Sequence, residues 1–258
     1  MSFALIVSPA KKMNVVEGPP DATALPRLID QTELLLEQLR TLSLEQAKAL
    51  WKCSDRLARQ NYERLATADP RSATTAAAIA YEGIQYQHLA AHVLDEDALA
   101  YLEQHLRILS GFYGVLSPLD AVVPYRLEMQ ARLAMPARGV RPATRDLYAF
   151  WADTLAKVLA ESFDTVVNVA SVEYAKAVTP YLPGLGVRTI TCLFGSVRPS
   201  DGRLVQRSTE AKAARGSFVR WCAEQGIEDV EALTAFADRG YLFDQTRSTT
   251  DTLVFVRA

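Results

Sequence analysis

The sequence predicts one mixed α/β domain over residues 1–258, with a mixed sheet and a largely helical N-terminal half. Three observations carry this. Short aliphatic, β-branched runs at FALIV (3–7), TVVNVAS (165–171) and VRTITCLFGSV (187–197) have the length and composition of buried strands. Residues 26–109 instead repeat their apolar side chains at helical spacing. Finally, none of the 258 residues forms a repeat, a low-complexity tract or an obvious linker, and the length suffices for a substantial core.

The elements follow in order. The opening strand ends at Ser8-Pro9, where Lys11 and Lys12 emerge. Leu28, Ile29, Leu35, Leu36, Leu39 and Leu42 mark a first helix. Ser43 followed by Gln46 is a capping-box signature for the second, and Leu57, Tyr62 and Leu65 lie on one face of the third. YEGIQYQHLAAHVL reads as mostly helical. Asp95 then caps a helix whose stripe Leu99, Leu102, Leu106 and Leu109 runs up to Gly111. AVVPYRLEMQARL is expected to be extended because Pro124 discourages helix. Thr144 is the expected cap of one long helix, RDLYAFWADTLAKVLAESF. After the two later strands come a basic helix from about Thr209 to Gln225, a short one in DVEALTAF, and a C-terminal pair of strands.

Composition narrows the function. With 49% hydrophobic and 22% charged residues the chain has an ordinary globular composition, and a net charge of −2 gives no whole-chain attraction for nucleic acid. The opening apolar run is too short for a signal peptide or membrane span. Cys53, Cys192 and Cys222 are scattered, so a reducing cytosol is expected and no disulfide framework. Walker A, GxGxxG, GxSxG and HExxH patterns are absent. His88 and His92 sit four apart, but no third ligand has convincing spacing, so they read as helix surface; no metal or cofactor is expected.

Local charge says more. Arg126, Arg132, Arg138, Arg141 and Arg145 stand against one acid, Glu128, and Arg203, Arg207, Lys212, Arg215 and Arg220 against one, Glu210. If the two segments meet, they make a positive face. NVASVEYAK (168–176) follows a buried strand, which places Asn168, Ser171, Glu173, Tyr174 and Lys176 at a strand's carboxyl end, where open α/β sheets bind ligands. Ser171 is alternatively a plain helix cap.

SPAK (8–11), LRILSGFYGVLSPLD (106–120), PYRLEM (124–129), DLYAFW (146–151), NVASVEYAK, AKAARG (211–216) and GYLFD (240–244) together resemble the bacterial YaaA family of peroxide-stress proteins, over nearly the whole chain. The resemblance implies a cytosolic protein that limits oxidative DNA damage by lowering free iron, binds DNA, and carries a helix-hairpin-helix element beside a basic cleft. The chain departs from the family pattern at Glu82, Ile84, Ser117, Gln130 and Ala213. Where the pattern reads F-K-G-D-x-Y this chain has YEGIQY, with Glu82 and Ile84 at the charged positions, and Ala213 replaces a lysine.

Two functional readings follow. In the first, the chain binds duplex or branched DNA by shape. Arg107, Gly111 and Gly114 meet the backbone, the glycines admitting a phosphate close to main-chain N–H groups, while Lys11, Arg126, Lys212 and Arg215 line the cleft. Ser8, Asn168 and Ser171 would add anion contacts. In the second, the chain is an enzyme acting on a phosphorylated or carboxylated small molecule, with Glu128, Glu173, Tyr174 and Lys176 as its catalytic groups beside Arg126. Convergence of these residues in one pocket favours the second reading, and an open groove of duplex width the first.

Overall fold

A computed structural model describes residues 2–257. Its spine is five parallel strands in the order Thr252–Arg257, Arg188–Val197, Thr165–Asn168, Phe3–Val7 and Leu106–Ser110. Antiparallel strands Tyr241–Phe243 and Gly114–Leu116 close the two edges, and Leu204–Val205 pairs with the far end of Arg188–Val197. Every residue of Phe3–Val7 is buried, as a central parallel strand covered on both faces requires. The helical first half is thus one long crossover between two adjacent parallel strands, Phe3–Val7 and Leu106–Ser110.

Several helices start where local chemistry dictates. Ser43 and Gln46 form the reciprocal capping box of Leu44–Trp51, and the Asp95 carboxylate accepts from Ala98 N at the start of Glu96–His105. The long helix Ser208–Gln225 packs on Ile84–Leu89 at a distance only glycine permits, because a Cβ on Gly216 would collide with the Gln85 carbonyl oxygen.

Three expectations need correction. The helix through 96–109 stops at His105, and Leu106 and Leu109 belong to a strand paired with Phe3–Val7. Residues 106–116 are therefore a buried β-hairpin rather than a turn between helices. The helix expected after Thr144 is capped instead by Asp146, whose carboxylate accepts from Ala149 N. It also breaks at Ala152 (φ +43°), giving Leu147–Trp151 and Thr154–Ala160, while Thr144 pairs with Met135. Finally, Ala90 at φ +48° separates His88 from His92, so they do not share a helix face.

The hairpin glycines serve packing. A Cβ on Gly111 would meet the Leu127 carbonyl oxygen at 2.7 Å, and one on Gly114 (φ +78°) would meet Leu28 at 2.7 Å and Leu155 at 2.9 Å. The turn's own N–H groups are spent internally: Phe112 N and Tyr113 N both donate to the Ser110 hydroxyl, at 3.1 and 2.8 Å. Arg107 lies against Phe163 and donates to the carbonyls of Glu103 and Leu106. Arg107, Gly111 and Gly114 thus build the hairpin.

Asp120 closes this segment by accepting from Ser117 N at 2.8 Å. Burial, opposed by that hydrogen bond and reinforced by Glu103, pushes its carboxyl up to about 7. A carboxyl whose folded pKa is raised takes up a proton on folding, so stability falls as pH rises from about 4 to 7. Asp120→Asn keeps the acceptor for Ser117 N and removes the charge. It is expected to flatten a slope of at most about 1.4 kcal/mol per pH unit in that window, measured by denaturant unfolding across pH.

Candidate functional site

The opening strand Phe3–Val7 and its parallel neighbour Thr165–Asn168 send their chains in opposite directions. The first runs on to Leu106–Ser110 on one side, and the second to Arg188–Val197 on the other. Diverging loops leave a crevice at the carboxyl ends of the two strands. Ser8 and Ser171 face each other across it: Ser171 N donates to Ser8 Oγ at 2.8 Å, and Ser8 Oγ donates to Ser171 Oγ at 3.1 Å. Ser171 does occupy the N-cap of Val172–Ala175, but its hydroxyl bonds Ser8 and makes no cap hydrogen bond. The Ser8 carbonyl accepts from Gln85 Nε2 and Tyr86 OH, each at 3.0 Å, which ties the crevice to the helix beside Gly216.

Above this tie lies a cavity of about 510 Å³. Its walls include Ser8, Lys11, Arg126, Glu128, Ser171, Glu173, Tyr174, Lys212 and Arg215, so nine of the residues singled out from sequence converge there. The Glu128 carboxylate stands between two cations, 2.8 Å from Lys11 Nζ and 3.5 Å from Arg126. Glu173 accepts from Gln130 N at 3.2 Å, and burial, with Glu128 adding repulsion, holds its carboxyl above the usual range. Tyr174 is buried, and its phenol is pushed far up by that burial.

The two guanidinium groups are the unusual feature. Only 11% of the Arg126 side chain is exposed, and its Nε is buried without a partner. Arg215 Nε is likewise buried and unpartnered, and burial alone lowers the affinity of its guanidinium for its proton. Among the described residues, Arg215 makes no ion pair, and Arg126 has only the 3.5 Å contact with Glu128. A buried cation without its counter-charge costs several kcal/mol by general estimates, and a bound anion removes that cost.

The rear of the site is a chain of hydroxyls. Tyr125 OH lies 2.8 Å from Tyr81 OH and 2.7 Å from Ser110 Oγ, and burial pushes its phenol up to about 12. Tyr125 therefore keeps its proton and sets the backbone from which Arg126 and Glu128 project.

Other candidates lie elsewhere. Asn168 is buried and builds the loop by accepting from Ala170 N at 3.0 Å. Lys176 is exposed, its ammonium 4.9 Å from the Tyr148 ring centroid. Arg107, Gly111 and Gly114 remain in the hairpin. Sequence reasoning missed Gln85, Tyr86 and Tyr125 as supports, and Glu82 as a wall residue, paired at 2.6 Å with the Lys12 expected at the strand end. The YEGIQY segment was the available signal. Among the described residues, no three His, Cys, Asp or Glu side chains group as metal ligands, and no helix is long and apolar enough to cross a membrane.

Comparison with known proteins agrees with this whole-chain pattern. The chain is 44% identical over 253 residues to a UPF0246 protein of Lactiplantibacillus plantarum, covering 98% of both chains. It is 40% identical over 254 residues to one of Desulfitobacterium hafniense, again covering 98% of each. Against one of Lachnoclostridium phytofermentans the identity is 41%, over 98% of this chain and 96% of that one. The model of the peroxide stress protein YaaA family matches residues 3–247, and the chain belongs to that family.

Proposed function

We propose that this chain serves the peroxide-stress response in the cytosol by binding a small phosphorylated or carboxylated ligand in the Arg126–Arg215 pocket and acting on it by acid–base chemistry. One observation carries the reading: two partly buried guanidinium groups, each with a buried and unpartnered Nε atom, share one cavity with two carboxylates. The cations would hold the anion, and Glu173, whose proton affinity is already raised, would give or take a proton beside it. Glu128 would be released for the same work when Lys11 turns from it toward the bound anion.

DNA binding, with limitation of iron-dependent damage, is the second reading. It is supported by Lys11, Lys12 and Lys212, which stand exposed at the pocket mouth. A cavity of this size would admit a small molecule, and a duplex would meet only the rim.

The experiments separate the two. Arg215→Met removes an uncompensated buried charge while keeping an apolar stem. It is expected to raise the unfolding free energy by about 1 kcal/mol and to weaken inorganic phosphate binding about tenfold or more, read by denaturant unfolding and calorimetry. A destabilised variant with unchanged phosphate affinity would contradict the reading. In cells, the double variant Glu128→Gln and Glu173→Gln is expected to lose peroxide protection while its phosphate affinity holds or tightens; full protection would remove the acid–base role. For duplex DNA, contacts from three rim lysines predict a log–log salt slope near −3, and no binding at about 50 mM salt would eliminate the second reading.

A further inference from the structure

A second cavity, of about 590 Å³, adjoins the first, and Lys11 and Glu128 line both. The ion pair at 2.8 Å is therefore the partition between them. The far chamber is mixed in chemistry. Leu42, Leu50, Trp51 and Leu133 supply apolar walls, the amides of Gln46 and Gln130 add hydrogen-bonding edges, and Lys52 and Arg132 add two cations. Trp51 is 4% exposed, and its buried indole N–H has no acceptor. The partition itself is weak. The Lys11 side chain is 66% exposed, and an exposed ion pair of this kind is readily exchanged for another anion.

We infer that the two chambers form one bipartite site for a phosphate monoester of a flat, hydrogen-bonding ring. The phosphate lies between Arg126 and Arg215, and the ring lies in the chamber walled by Leu50, Trp51 and Leu133. Lys11 leaves Glu128 for the phosphate, which opens the passage. Each chamber alone is as large as a typical small-molecule site, far more than a bare phosphate needs, and the Leu42, Leu50, Trp51 and Leu133 side of the second suits a ring. This assignment rests on the anion-binding reading of the first chamber.

The test compares three probes by calorimetry on the full chain: inorganic phosphate, adenosine 5′-monophosphate and adenosine. The monophosphate is expected to bind about tenfold or more tighter than phosphate, with adenosine weakest. Ala49 is exposed on the helix Leu44–Trp51 and lines only the far chamber of the two, so Ala49→Trp obstructs that chamber without touching the core. It is expected to abolish the monophosphate's advantage and leave phosphate affinity unchanged. Equal affinities for phosphate and monophosphate in the unaltered protein, or equal weakening of both by Ala49→Trp, would overturn the bipartite site while leaving the anion pocket standing. Failure of phosphate and monophosphate alike to bind would overturn both.

Discussion

The parallel pairing of Phe3–Val7 with Thr165–Asn168 is the constraint on which the site depends. The two strands are neighbours, yet their chains leave in opposite directions, so no connection can fill the space beyond their carboxyl ends. That space must be bounded by something else. Here the boundary comes from the long crossover, through Gln85 and Tyr86 on the Ser8 carbonyl, and from the irregular segment after the hairpin, through Arg126 and Glu128. Ser8 and Ser171 close the floor by bonding to each other.

The approach of the long C-terminal helix completes the pocket. Gly216 lets Ser208–Gln225 rest directly on Gln85, and Arg215, one residue earlier, is carried into the wall as a result. A larger residue at 216 would push the helix away and move Arg215 with it. Packing and function are therefore linked at adjacent residues. The same holds at the hairpin, where Gly111 admits the backbone of Leu127 and so fixes the segment bearing Arg126. The glycines that resemble phosphate-binding positions act one step removed, by allowing the approach that positions a guanidinium.

Much of this was legible locally and little of it globally. Strand ends at Ser8 and Asn168, the Ser43–Gln46 box and the basic helix follow from residues within a few positions of each other. The hairpin was misread because Leu106 and Leu109 continue the helical spacing of Leu99 and Leu102. What makes them a strand is the distant edge of Phe3–Val7, which no local pattern contains. The break at Ala152 has no glycine or proline to announce it. Charge segregation pointed at ten cations in two segments, but only Arg126, Lys212 and Arg215 of those ten reach the pocket. Which ones do so depends on the sheet order and the approach at Gly216.

The departures from the family pattern then take on physical meaning. Glu82 stands where the resemblance leads one to expect lysine, and in this fold that position is on the pocket wall. Its carboxylate is bonded by Lys12 and Asn14, which hold its pKa below the usual range, so it stays ionised and neutralises one rim cation. Lys11 is similarly occupied by Glu128. Ala213, the other lost lysine, is 3% exposed within its helix and is no part of the pocket wall, so its loss leaves the pocket's charge as it is. The mouth therefore carries less free positive charge than the number of lysines suggests, while inside, among the described residues, Arg215 has no ion pair and Arg126 only the 3.5 Å contact with Glu128. A polyanion gathers affinity by releasing counterions along an exposed surface; a compact anion gathers it from a few desolvated donors. Moving the unpaired charge from the rim to the interior favours the compact anion, and in this chain the Glu82 departure moves it that way.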